Sequence, residues 1–208
     1  MTRSRLLGGG TAGNEQLTAV TGVLLIVLLA VLGVTILFIG RLIWLHLFLG
    51  LALLGPIVLK IASTGYRFVR YYTRERTYVA KGPPHLLLRA LGPGVVLTTL
   101  VVFVSGIVLM LQGPSDRHVT LLIHKVSFFA WLAFTGLHVL GHLPGLGRSL
   151  QAVRAEGPDH GLGSADGAAG RWIVLIGAVL AGVVLAVALI PHFSVWTAAG
   201  AFPHHGEH

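Results

Sequence analysis

The chain contains no cysteine. That excludes disulfides, iron–sulfur clusters, thiolate zinc sites and the thioether attachment of c-type haem. Charge is nearly as scarce: 11% of the 208 residues are Asp, Glu, Lys or Arg, against roughly a quarter in a soluble domain. Acids are scarcest of all. The seven present (Glu15, Glu75, Asp116, Glu156, Asp159, Asp166 and Glu207) all fall outside the long apolar runs. Cation-coupled transporters and proton pumps place a carboxylate within the membrane, so this distribution argues against that class. There is no Walker loop, no GxGxxG after a strand, no HExxH and no serine elbow, which removes the common soluble catalytic plans. Methionine occurs twice, once at position 1, a thin supply for a soft-metal path.

Apolar sequence is abundant. Hydrophobic residues make up 54% of the chain and the mean hydropathy is +0.83, so lipid is the expected solvent. Five runs approach the roughly 20 apolar residues that a hydrocarbon core requires: 18–40, 43–63, 91–112, 120–142 and 172–191. The turn between the first two is expected near Gly40-Arg41-Leu42. The first run is longer than a signal-peptide core and no small-residue cleavage site follows it, so it reads as a retained helix. The pattern predicts an all-α integral membrane helical bundle of about five transmembrane helices with a four-helix core. Its parts are an N-terminal tail (1–17), a four-span bundle (18–142), a flexible Gly- and Ala-rich loop (143–170), a fifth helix (171–191) and a His-rich tail (192–208).

The formal charge of +8 would point to nucleic acid in a soluble protein, but here the basic residues lie between apolar runs, where membrane lipid and topology explain them. Arg67, Arg70, Arg74, Arg76, Lys81 and Arg89 sit between the second and third spans. Arg148, Arg154 and Arg171 follow the fourth, and Arg3 and Arg5 precede the first. Against these eleven, only Arg41 and Arg117 lie on the other side outside the spans. The positive-inside rule then predicts a cytoplasmic N-terminus, an outer C-terminus and a bacterial plasma membrane. The segment YRFVRYYTRERTY reads as an interfacial helix with Tyr and Arg at headgroup level.

The chemistry is carried by histidine. The stretch HKVSFFAWLAFTGLHVLGH (124–142) is almost wholly apolar yet holds three. The second and fourth spans both start on the outer side, and His46 and His124 each lie about one turn in, hence at similar depth. Two neutral imidazoles facing each other within a helical bundle are the axial pair a haem iron takes. Gly50 and Gly136 remove side-chain bulk where a porphyrin would lie. His138, fourteen residues after His124, returns to within about 40° of the same face and some 21 Å deeper, and His142 shares that face. One helix thus offers ligands at two depths, as two stacked haems would need. The same fourteen-residue step from His46 lands on Lys60, so a second haem needs another partner, for which His85 is the best candidate.

The spacing of His124 and His138 is similar to that of ligands in di-haem membrane cytochromes b. The short plan with histidines at two depths resembles the cytochrome b561-like and hydrogenase-type cytochrome b subunits of bacteria. The stretch GPIVLKIASTGYRFVRYYTRERTYVAKGPPHLLLRALGP also resembles actinobacterial membrane proteins of that plan. The likeness covers roughly residues 43–142. It implies b-type haem, one or two per chain, oxidation of a quinol or small reductant, and transmembrane electron transfer. Lys60 departs from the family's second ligand position.

Other readings stand beside this one. Lys125, Arg41 and, at the inner side, Arg67 either snorkel to headgroups or contact haem propionates, and Lys60 has the same two readings. Ser127, Thr135 or backbone carbonyls are the expected partners that orient the ligand rings. His118 and His192 read as interfacial residues. His204, His205 and His208 in the terminal PHHGEH form a candidate copper or zinc site. The whole set also suits a transition-metal carrier or a non-catalytic anchor whose histidines only bridge helices. A soluble redox protein, a partner subunit or a second copy are the protein partners these readings imply.

Overall fold

The apolar sequence from residue 18 to residue 63 offers no polar interruption long enough for a loop, and the chain reverses through tight breaks instead. A computed structural model describes residues 10–80, 86–113, 117–156 and 168–198. Helix α1 runs Gly10–Leu37, and Phe38 leaves helical geometry (φ −123°, ψ 36°) before α2, Ile39–Ala52. Leu42 is also non-helical (φ −110°, ψ 16°), so the reversal occupies 38–42, around the expected Gly40-Arg41-Leu42. A second break at Leu53 separates α2 from α3, Leu54–Tyr72. Pro56 explains it, because it has no N–H to offer the Ala52 carbonyl.

That break lies where α7, Ala168–Leu189, crosses. A Cβ on Gly182 would stand 2.0 Å from the Ala52 carbonyl oxygen, and a Cβ on Gly55 1.9 Å from that of Ala178. Only hydrogen fits at either position, and the two glycines let the backbones of α3 and α7 touch. The fifth span, placed by the sequence outside a four-helix core, therefore packs against α2 and α3.

The remaining membrane helices form a separate antiparallel hairpin. Helix α5, Leu86–Gln112, and α6, His118–Glu156, share a long seam, and no other helix shares a comparable one with α6. Along it Gly94 receives Phe134, Gly106 receives His124, Gly141 receives Leu88, and Trp131 Nε1 donates to Thr99 Oγ1 at 3.1 Å. Helix α5 joins the hairpin to the bundle. Its Met110 is buried with Leu51, Ala186 and Phe193, and its Phe103 packs on the cluster of Leu25, Leu53 and Ile57.

Between α3 and α5, the chain turns at Arg74 (φ 58°) into the single turn α4, Arg76–Val79. The segment read as an interfacial helix is thus the end of α3, a turn and α4. Arg70 lies over Tyr66 and Arg89 over Tyr72, at 5.4 and 5.3 Å from the ring centroids. After α7 a 3₁₀ turn, Ile190–Phe193, and α8, Ser194–Thr197, fold back. Trp196 Nε1 donates there to the carbonyls of Leu109 (3.1 Å) and Met110 (3.3 Å), satisfying two acceptors at the end of α5. The stretch 143–170 is helical to Glu156 and again from Ala168. Five helical stretches are long and apolar enough to cross a membrane: Gly13–Leu37, Ile39–Tyr72, Leu88–Gln112, His118–His142 and Ala169–Thr197. The chain is an all-α, multi-pass membrane protein.

Candidate functional site

His46 on α2 and His124 on α6 lie on separate helices, near enough for their charges to interact. Both rings are half-buried, and each is held through Nδ1. The Nδ1 of His46 is 2.8 Å from Thr35 Oγ1, and that hydroxyl is 2.5 Å from the Leu32 carbonyl oxygen. A carbonyl only accepts, so the single Thr35 proton goes to Leu32 and the hydroxyl accepts from His46 Nδ1–H. At His124 the Nδ1 lies 3.1 Å from both Ser105 Oγ and the Val102 carbonyl oxygen, while Ser105 Oγ is 3.0 Å from that same carbonyl. Here too Nδ1 must carry the proton. Both imidazoles are therefore fixed as Nδ1–H tautomers, which leaves each Nε2 lone pair available as a ligand.

The sequence reading looked to Ser127 and Thr135 to orient these rings. Ser127 Oγ instead donates to the His124 backbone carbonyl at 3.1 Å. Thr135 Oγ1 is buried without a hydrogen-bond partner among the described residues. The orienting hydroxyls are Thr35 and Ser105. The signal was present: Thr35 is eleven residues before His46 across a tight reversal, and Ser105 nineteen before His124 across a helical hairpin, so each lands one helix over at the same depth.

The pair suits the axial ligation of a haem. Its donors are two neutral nitrogens from different helices, and a Cβ on Gly50, one turn beyond His46, would meet nothing within 4 Å. A Cβ on Gly136 also meets open space, but Gly136 lies about 18 Å along α6 from His124 at 1.5 Å per residue. It belongs with His138. Arg41 and Lys125 are both exposed, as snorkelling side chains are. His118 and His192 are exposed as well.

At the other end of α6 the arrangement differs. The rings of His138 and His142 stand 4.8 Å apart, edge to face. Two imidazoles one turn apart on one helix approach an iron from the same side, so they are not an axial pair. His138 Nδ1 is buried without a partner among the described residues. The charge of Lys60 reaches both histidines, and that of Arg67 reaches His142. Lys60 Nζ donates to the Thr18 carbonyl oxygen at 2.6 Å, and Arg67 pairs with Glu15 at 3.3 Å. Thr18 Oγ1, Ser63 Oγ and Asn14 Nδ2 complete a polar seam between α1 and α3. His85, His204, His205 and His208 lie outside the described residues.

Among the described residues no three His, Asp or Glu side chains gather into a metal cluster. No protein-family model, curated protein or solved structure matches the chain.

Proposed function

We propose that the protein is a b-type cytochrome of a bacterial plasma membrane that passes electrons between a reductant, a quinol or a soluble redox protein, and an acceptor. One observation carries this reading: His46 and His124, on separate helices, each have Nδ1 committed as a donor and Nε2 left to ligate. Haem b held by them would supply one-electron oxidation and reduction, with both axial positions filled and none left for oxygen. Thr35 and Ser105 orient the rings and raise the basicity of Nε2. The Arg-rich end faces the cytoplasm in this reading, so the His46–His124 pair lies toward the outer surface.

The test is a dithionite-reduced minus air-oxidised visible spectrum of the purified protein with a pyridine haemochrome assay, alongside His46→Ala and His124→Ala. Sharp b-type bands, lost equally in both variants, are expected. A colourless wild-type protein after expression with haem precursor ends the reading and leaves the histidines to metal handling or packing.

A further inference from the structure

Two arginines at the Arg-rich end of the molecule lie over tyrosine rings, and they differ in what else holds them. Arg70 sits over Tyr66 and also pairs with Glu75 at 3.5 Å. Arg89, near the start of α5, lies over Tyr72 at the end of α3, 5.3 Å from the ring centroid, and donates through Nη2 to the Tyr72 hydroxyl. Among the described residues no carboxylate pairs with Arg89. A guanidinium carries five N–H donors in a planar fork, so most of those on Arg89 are uncommitted. The Tyr72 hydroxyl accepts from Arg89 and keeps its own proton to donate. The two groups are in contact, and both have protons left to give.

The spans put this contact at headgroup level. Tyr72 is the last residue of the membrane-spanning stretch Ile39–Tyr72, and Arg89 is the second of Leu88–Gln112. One turn deeper along α3, about 6 Å, the Phe68 ring lies 4.4 Å from that of Tyr72 and is 57% exposed. From the surface inward the order is cation, phenol hydroxyl, apolar ring. A phospholipid has the matching order, phosphate above and acyl chain below. The guanidinium fork fits phosphate oxygens in pairs, and a positive charge with no carboxylate beside it favours a lipid of net negative charge. We propose that Arg89 and Tyr72 bind the phosphodiester of an anionic lipid whose acyl chain runs along Phe68. A soluble acidic protein would meet the guanidinium but not the ring below it, which faces hydrocarbon. The proposal does not depend on haem.

The test uses the full chain in nanodiscs of phosphatidylcholine containing phosphatidylglycerol, with native mass spectrometry of the lipid retained on release. Wild type is expected to retain phosphatidylglycerol preferentially. Arg89→Gln is expected to cut retention about fivefold, the equivalent of roughly 1 kcal/mol per basic group. Tyr72→Leu leaves the net charge unchanged and should also lower retention, because the guanidinium loses its seat. Arg76→Gln removes the same charge as Arg89→Gln, but from an exposed arginine of the same end, and should keep the lipid. If Arg89→Gln loses its monodisperse elution peak, Tyr72→Phe takes its place, with a smaller loss expected. Unchanged retention in the Arg89 and Tyr72 variants, a loss in Arg76→Gln as large as that in Arg89→Gln, or displacement of the lipid by millimolar inorganic phosphate would overturn the proposal. Equal retention of the two lipids would overturn it too, and leave Arg89 to an acidic protein partner.

Discussion

Helix α6 carries histidines at both ends, and the two ends are built differently. His124 has its Nδ1 shared between a hydroxyl and a carbonyl of α5, and a histidine of α2 lies near enough for their charges to interact. His138 has its Nδ1 buried and unpartnered, with another histidine of its own helix beside it and a lysine opposite. Distance along the helix does not cause the difference. At the first end α5 supplies a serine exactly one helix over, and α1 a threonine against His46. At the second end the hydroxyls of Thr18 and Ser63 are spent on the α1–α3 seam. A histidine in lipid becomes a defined ligand when a neighbouring helix fixes its tautomer.

The sharpest way to break this comparison is to remove the histidines one at a time. His46→Ala and His124→Ala should each abolish the b-type absorbance that those two residues support. His138→Ala and His142→Ala should leave the same bands in place. Quantifying pyridine haemochrome per mole of protein checks it. Loss of absorbance in His138→Ala as large as that in His124→Ala would mean that the two ends act as one site.

A finer test removes the hydroxyls and keeps the ligands. Thr35→Val and Ser105→Ala free the rings to rotate and leave Nδ1–H with fewer acceptors. Partners of this kind are worth roughly 10- to 100-fold in affinity, so haem loss to apomyoglobin should accelerate by about that factor. Thr35→Val should have the larger effect, because His124 keeps the Val102 carbonyl after Ser105 is removed. Thr35→Ser should restore retention. The midpoint potential should move with the weakened donation, a readout that mere destabilisation of the fold would leave in place.

The part of this arrangement that was legible in the sequence follows from what each feature depends on. The five spans rest on apolar length, which lipid imposes directly, and so did the depth match of His46 and His124. The turn near Gly40 was legible because Arg41 is the only charge in that stretch. The break at Leu53 depends on Pro56 and lies where Gly55 meets a helix more than 120 residues away at its Gly182, and periodicity carries no record of that meeting. Thr35 and Ser105 were legible but missed: each lies one helix over at the depth of its histidine, whereas Ser127 and Thr135 were merely close in sequence. Lys60 was legible as an exception to the fourteen-residue step. Its hydrogen bond to Thr18 and its nearness to His138 required the fold.

The smallest expected effect probes whether burial or bonding governs the hydroxyls of the two ends. Thr135 Oγ1 is buried and unpartnered among the described residues, whereas Ser63 Oγ is buried and has two acceptors for its proton, the Lys60 carbonyl oxygen and Thr18 Oγ1, each at 3.1 Å. Replacing an orphaned hydroxyl by a methyl of the same shape removes a desolvation cost and breaks nothing, so Thr135→Val should be neutral or stabilising by up to about 1 kcal/mol. Ser63→Ala deletes the bond that this proton makes and should destabilise by about 1 kcal/mol, the scale of interhelical hydrogen bonds in membranes. Reversible unfolding in mixed micelles of increasing SDS content measures both. A destabilising Thr135→Val would show that its hydroxyl has a partner in the membrane that the helices themselves do not supply, which would draw the inner end of α6 toward the bonded pattern of the outer one.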